Sequence, residues 1–282
     1  MAKLFRAFFF KLSKDLTFRI TMIIGLALAV VLSLIYFGID VLSSAGEEGG
    51  IQHNMCTGQS MFFNSISPAQ NFGIAIPVNL ITFTVLEFTQ GTIRNKIITG
   101  NSKTKIYFAL FLSGLIFTMS LLIAYVGLCV GLGSIFGGFD INGTIIGSTS
   151  LGGQIDAQYF VRMLVVTLLV YLSITAFTIF FATLFRNIGP CIPVVIVVVM
   201  MCYFAGMIAS LMKDTEGMEI FVNIMKYINP MYGLNDASIL DSLKGTLAMS
   251  DSTFIASIIN NCVYTTVFLI GGWLIFRKRD VK

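Results

Sequence analysis

A single histidine and only 11% charged residues in a chain of 282 leave little material for acid–base chemistry or for a solvated surface. Soluble domains carry roughly a quarter of their residues as charges, so a water-soluble globule does not fit. The five cysteines (Cys56, Cys129, Cys191, Cys202, Cys262) form no C-x-x-C pair, and four of them sit inside apolar runs. A thiol there behaves as a small hydrophobe, and no disulfide or metal framework is implied. His53 near Cys56 is an incomplete ligand set and reads as part of a solvated loop. Phosphate-loop spacing is absent, because Gly100-Asn101-Ser102-Lys103-Thr104-Lys105 does not provide it, and neither a nucleophile elbow nor an H-E-x-x-H occurs. No catalytic or metal residues are assigned, and the chain by itself is not expected to be an enzyme.

What the chain does have is apolar length: 56% of its residues are hydrophobic and the mean hydropathy is +0.88. Six stretches approach or exceed the ~20 residues that cross a bilayer: Ile20 to Ile39, Ser67 to Leu86, Ile106 to Ile135, Phe160 to Phe185, Ile188 to Leu211 and Thr253 to Phe276. The expected fold is an all-α membrane protein of one domain over 1–282. It has an interfacial helix over 1–19, a basic loop over 87–105 and a long outer loop over 212–252. Arg186-Asn187 is the only cut in a very long apolar run and requires a tight hairpin. No cleavage site follows the basic-aromatic N-terminus, so the first helix is expected to be retained.

Basic residues set the orientation. Lys3, Arg6, Lys11, Lys14 and Arg19, then Arg94, Lys96, Lys103 and Lys105, then Arg186, then Arg277, Lys278, Arg279 and Lys282 flank one side, fourteen of the 18. Arg162, Lys213, Lys226 and Lys244 flank the other. Both termini therefore belong to the cytoplasmic side. On the opposite side, Asp40 to Ile66 reads as a Gly- and Ser-rich loop, Phe136 to Tyr159 as a Gly-rich one and Met212 to Ser252 as the longest. In the third outer segment Ile220, Phe221, Ile224, Met225 and Ile228 recur at helical spacing, Asn229-Pro230 breaks the pattern, and Leu234, Ile239 and Leu240 resume it. That predicts two short amphipathic segments dipping toward the bilayer.

The span centres carry no ionisable residue, which argues against a proton- or sodium-coupled secondary transporter, although carbonyls of broken helices can bind sodium without carboxylates. Glu87, Asp40 and Arg162 lie at span ends, where each can reach the interface. Asn79 and Thr82 either face a translocation path or bond between helices. Met200, Tyr203 and Phe204 either grip a greasy substrate or face lipid. Gly127-x-x-x-Gly131 and Gly133-x-x-x-Gly137 permit close helix packing, and Pro77, Pro190 and Pro193 can open the backbone ladder of their helices. The most informative segment runs from Glu87 to Lys105. Within it Ile93, Ile97 and Ile98 are placed on one side of a short helix bracketed by Gly91 and Gly100, with Arg94 and Lys96 on others. Such a helix packs at the interface near lipid phosphates, or offers a soluble motor a rigid element to push.

The segment Phe10-Lys11-Leu12-Ser13-Lys14, the core Gly91-Thr92-Ile93-Arg94-Asn95-Lys96 and the Asn229-Pro230 break together resemble the ABC-2 type permeases, the membrane subunits of a class of ABC exporters. The resemblance implies an interfacial connecting helix over Phe5 to Lys14. It implies a coupling helix over Gln90 to Gly100 that contacts a separate ATPase, with Glu87, Gly91, Ile93, Arg94, Lys96, Ile97 and Gly100 as the coupling residues. ATP and Mg would be bound by that partner, and this chain would need no cofactor. A second permease chain, identical or related, would complete a pathway lined by the first, second and fifth spans. Ile220 to Leu240 would form re-entrant helices above it. The implied function is export of an amphipathic or hydrophobic compound such as an antimicrobial peptide, drug or lipid, or self-immunity, at a bacterial cell membrane, with no nucleic-acid partner. The chain lacks the ATPase domain of fused members and any large extracellular domain. A membrane scaffold or sensor that binds a partner through the same loop is the alternative from another class.

The topology has a direct test. In a background freed of native cysteines, Glu47→Cys and Lys103→Cys are expected to react with an impermeant maleimide from opposite sides of the membrane. Labelling from the same side would refute six crossings.

Overall fold

A computed structural model describes residues 2–44, 56–66, 75–139, 144–145, 153–155, 157–213, 215–235, 246–247 and 249–278. His53, Ile239, Leu240 and the start of the second apolar stretch, 67–74, lie outside them. Eleven helices are present among the described residues, with three strand segments of two or three residues each. Five helices contain stretches long and apolar enough to cross a membrane, so the architecture is that of a helical, multi-pass membrane protein.

The first helix, α1 (Ala2–Lys14), buries Leu4, Phe8 and Leu12, spaced four apart on one face, and leaves Phe9 and Phe10 outward. It packs on the sixth helix and ends at Asp15, whose carboxylate accepts the Thr17 amide at 3.0 Å and so caps α2 (Leu16–Ser44). The chain then passes through α3 (Gly58–Ile66), α4 (Ala75–Thr89), α5 (Thr92–Ile98) and α6 (Lys103–Gly137). At 35 residues α6 is about 52 Å long, well beyond a ~30 Å hydrocarbon layer, so it tilts or projects.

The last nine residues of the segment expected as the first outer loop form helix α3, and it is buried. Seven of its nine residues are shielded. Thr57 caps it through Ser60, the Gly58 amide bonds to the Gly138 carbonyl at 3.0 Å, and the Cys56 amide bonds to Asp40 at 2.6 Å. Phe62 and Phe63 pack against Tyr159 and Phe160. Polar residues hid this segment from a hydropathy reading. Glycines admit it: a Cβ on Gly137 would lie 2.5 Å from the Cys56 carbonyl oxygen, and one on Gly133 would lie 2.9 Å from that of Thr57. Gly127 and Gly131 meet nothing within 4 Å, so among the described residues only the second of the two glycine pairs serves packing within the chain.

The centre of the bundle is α7 (Ala157–Phe185), which touches α4, α6, α8 (Ile188–Leu211) and α11 (Asp251–Lys278). The hairpin between α7 and α8 is as tight as the apolar run demands. Arg186 takes a left-handed φ of 51° and Asn187 caps α8 by accepting the Gly189 amide. Pro190 falls in the first turn of α8, where amides have no partner to lose; only Pro193 interrupts the ladder. Beyond α8, α9 (Glu219–Ile228) and α10 (Tyr232–Asn235) flank the Asn229-Pro230 turn. Three amides hold that turn: Asn229 donates to the Cys202 carbonyl (2.6 Å), Asn261 to that of Pro230 (3.0 Å) and Asn260 to that of Lys226 (2.9 Å). The strand segments β1 (Thr144–Ile145) and β3 (Thr246–Leu247) both pair with β2 (Gly153–Ile155), the first antiparallel and the second parallel.

Gly137→Ala should lower the midpoint of thermal unfolding in detergent, by an overpacking cost of about 1–3 kcal/mol. Gly127→Ala, in open space, should hold or raise it through the ~1 kcal/mol helix preference of alanine. Equal effects would contradict the α3–α6 contact.

Candidate functional site

One acidic side chain is withdrawn entirely from solvent at the end of the bundle where α1, α4 and α5 meet. Glu87, two residues before α4 ends, is 0% exposed. It reaches two ammonium groups: Lys11 of α1 lies 2.7 Å from Oε1 and Lys96 of α5 lies 2.9 Å from Oε2. The Thr92 hydroxyl sits 2.8 Å from both Oε2 and the Glu87 carbonyl, and Lys11 also donates to Gln90 at 3.3 Å. The Lys96 ammonium rests 3.1 Å from the centre of the Phe8 ring, which is itself buried and meets Phe83 edge-on. One carboxylate thus joins three helices, and an aromatic ring closes the site on the α1 side.

Burial alone would push the Glu87 carboxyl up. The Lys11 ammonium, the charge and hydrogen bond of Lys96 and the Thr92 hydroxyl outweigh it and hold the carboxyl below its ordinary value. Burial likewise pulls Lys96 down, against the opposing pull of Glu87. A buried acid with a single counter-ion is costly; the pair of lysines is what allows it to stay ionised.

Backbone chemistry explains how α5 is presented. Gly91 and Gly100 both adopt left-handed conformations (φ 67° and 88°), which only glycine takes without strain, so the chain turns sharply into and out of a seven-residue helix. Within it Thr92 and Lys96, four apart, face Glu87, and Ile93 and Ile97 face the core. Ile98 does not join them as expected. Five residues on from Ile93 is roughly 140° round the helix, and Ile98 is 72% exposed beside exposed Arg94 and Asn95. Lys96 points inward as a structural cation, leaving Arg94 as the outward charge of this helix. Sequence reasoning found the segment but not the bond from Glu87 to Lys11, because it joins residues far apart in the chain. An acid one residue past an apolar run, near lysines on both neighbouring segments, was the available signal.

The same end of the molecule gathers other basic connections. Arg186 lies 4.9 Å over the Phe88 ring, Phe88 packs on Phe276, and Lys103 donates to the Arg277 carbonyl. At the far end Arg162 pairs with Asp251 and donates to the Met249 carbonyl.

The pathway candidates lie on two helices that touch each other, Asn79 and Thr82 on α4 and Met200, Tyr203 and Phe204 on α8. Asn79 accepts from Thr21 of α2 at 3.0 Å and donates to the Ala75 carbonyl at 2.7 Å, so its amide is engaged in a helix-to-helix bond. Thr82 bonds back to Val78. Met200 is half-buried on α8, Phe204 is exposed and stacks edge-on with Tyr203, and the Tyr203 carbonyl accepts from Asn235.

Residues 57–282 match a family described as Protein of unknown function (DUF2705). No curated protein and no solved structure matches the chain.

Glu87→Gln should cost about 3 kcal/mol of stability at pH 7, the usual penalty for breaking a buried ion pair from one side. Its native carboxyl sits below the unfolded value of about 4.3, so this contribution is complete above that range and disappears as pH falls through the lower native value. Melting curves of the wild type and the variant in detergent should therefore differ at pH 7 and converge in strong acid; a gap that is independent of pH would contradict the assignment.

Proposed function

From a chain that belongs to the DUF2705 family, we propose a membrane-spanning permease subunit of an ATP-driven exporter, energised by a separate ATPase that binds ATP and Mg. The observation that carries this reading is α5: a short helix whose inner face is fixed by Ile93, Thr92 and Lys96 and whose outer face shows Arg94, Asn95 and Ile98 to solvent. A helix held rigidly from within and open from without is what a soluble motor needs in order to transmit force. The spans supply no ionisable centre of their own to harvest an ion gradient.

On this reading α4, with the residues before it, completes a sixth crossing. Both termini and α5 lie on the cytoplasmic side, α1 lies along the interface, and α9 and α10 cap the opposite end as re-entrant helices around the Asn229-Pro230 turn. Two permease chains form the transporter. The exposed Met201, Phe204 and Met207 on α8, with half-buried Met200 and Tyr203, suit an amphipathic cargo such as an antimicrobial peptide, a drug or a lipid.

Because Ile93 is an inward anchor, the informative substitutions lie on the outer face. Arg94→Glu with Ile98→Asp should leave thermal stability unchanged. They should reduce the ATPase that co-purifies with the full chain from its native membrane about tenfold, as removal of a contact worth ~1.4 kcal/mol would. Undiminished ATPase, or none accompanying the wild type, would sink the exporter reading.

A further inference from the structure

A groove of about 470 Å³ opens between the outer side of α1 and the end of α4. Its apolar lining is Phe83 and Leu86, and the exposed Phe10 ring forms one wall. Cations stand at its rim. The Lys14 ammonium lies 4.6 Å over the Phe10 ring and meets no carboxylate within ion-pair distance among the described residues. Lys11, 41% exposed, spends two of its three donors on Glu87 and Gln90. Asp15 is the acid on the rim, and its carboxylate is turned to the Thr17 amide at the start of α2, where the helix dipole favours negative charge. From the same edge α2 sets off with Leu16, Ile20 and Ile23 exposed, along the first candidate span.

We propose that this groove binds an anionic phospholipid, its phosphate on Lys14 and the free side of Lys11 and its acyl chain over Phe10, Phe83 and Leu86 and on along α2. The occupant follows from the order of the lining. Positive charge at the rim selects an anion, and an apolar floor running into a lipid-facing helix gives an acyl chain somewhere to go, which a soluble phosphate would leave bare. Lys11 is shared: the ammonium that meets the lipid is also one of the two counter-ions of Glu87. Headgroup charge therefore acts on the junction that joins α1 to α5, and the lipid becomes a regulator of how firmly α5 is held. This site depends on the chain lying in a membrane and not on the exporter assignment.

The full chain, delipidated in detergent and offered equal amounts of phosphatidylglycerol and phosphatidylcholine, should retain the anionic lipid in clear excess by native mass spectrometry. Lys14→Gln should cut that excess about fivefold, as loss of one surface cation does, and Lys14→Arg should preserve it. Both variants should melt as the wild type does. Retention of the two lipids in equal amounts, or an excess unchanged in Lys14→Gln, would overturn the proposal. So would displacement of the lipid by equimolar glycerol phosphate, which would mark a site for free phosphate. Loss of a co-purifying protein in Lys14→Gln with lipid retention intact would assign the groove to a protein partner and overturn it equally.

Discussion

The structure turns on keeping one carboxylate ionised out of water. Glu87 is inaccessible to solvent and still charged because two ammonium groups, from helices on either side of it, approach within 2.9 Å. Remove either and the remaining pair faces desolvation with less attraction to offset it. The consequence is mechanical. The N-terminal helix and the short helix after α4 cannot move independently of each other without exposing or abandoning a buried charge, and the Phe8 ring under Lys96 adds a second tie between them. The glycines at 91 and 100 complete the arrangement by letting the chain turn sharply on both sides of α5, so that the helix is anchored through its side chains between two hydrogen-bonded turns.

Much of the rest of the fold serves to bring those three helices to one end. Central α7 is wrapped by α4, α6, α8 and α11, and the ends of α6 and α11 are tied near the junction by Lys103 and by Trp273, whose indole donates to Thr104 at 3.1 Å. At the opposite end the Asn229-Pro230 turn is held by side-chain amides from α9's own flank and from α11. Both ends use an ion pair and a cation–aromatic contact, Arg162 meeting exposed Asp251 and the Phe254 ring at the far one; they differ in that only the Glu87 end buries its carboxylate, while neutral amide-to-carbonyl bonds hold the turn at the other.

Local features were legible in the sequence. Apolar length gave the long helices, the Arg186-Asn187 cut gave the hairpin, and Gly91 and Gly100 bracketed α5 because left-handed turns leave a glycine signature. Features made by distant partners were not. Helix α3 reads as a polar loop because Gln59, Ser60 and Ser65 are buried against protein rather than lipid, and hydropathy does not distinguish those surroundings. The inward turn of Lys96 and the outward turn of Ile98 reverse what their residue types suggest alone. A buried Glu87 beneath α1 overrides the tendency of lysine to seek water. Asn79 had two readings, and its bond to Thr21 uses the amide between helices.

The central claim is that Glu87 makes α1 and α5 move as one body. Spin labels at Arg6→Cys and Asn95→Cys, both on exposed positions, in a background freed of native cysteines and reconstituted in lipid, measure this by double electron–electron resonance. The account predicts a single narrow distance distribution that broadens markedly when Glu87→Gln is added. A distribution equally narrow with and without the carboxylate would contradict it.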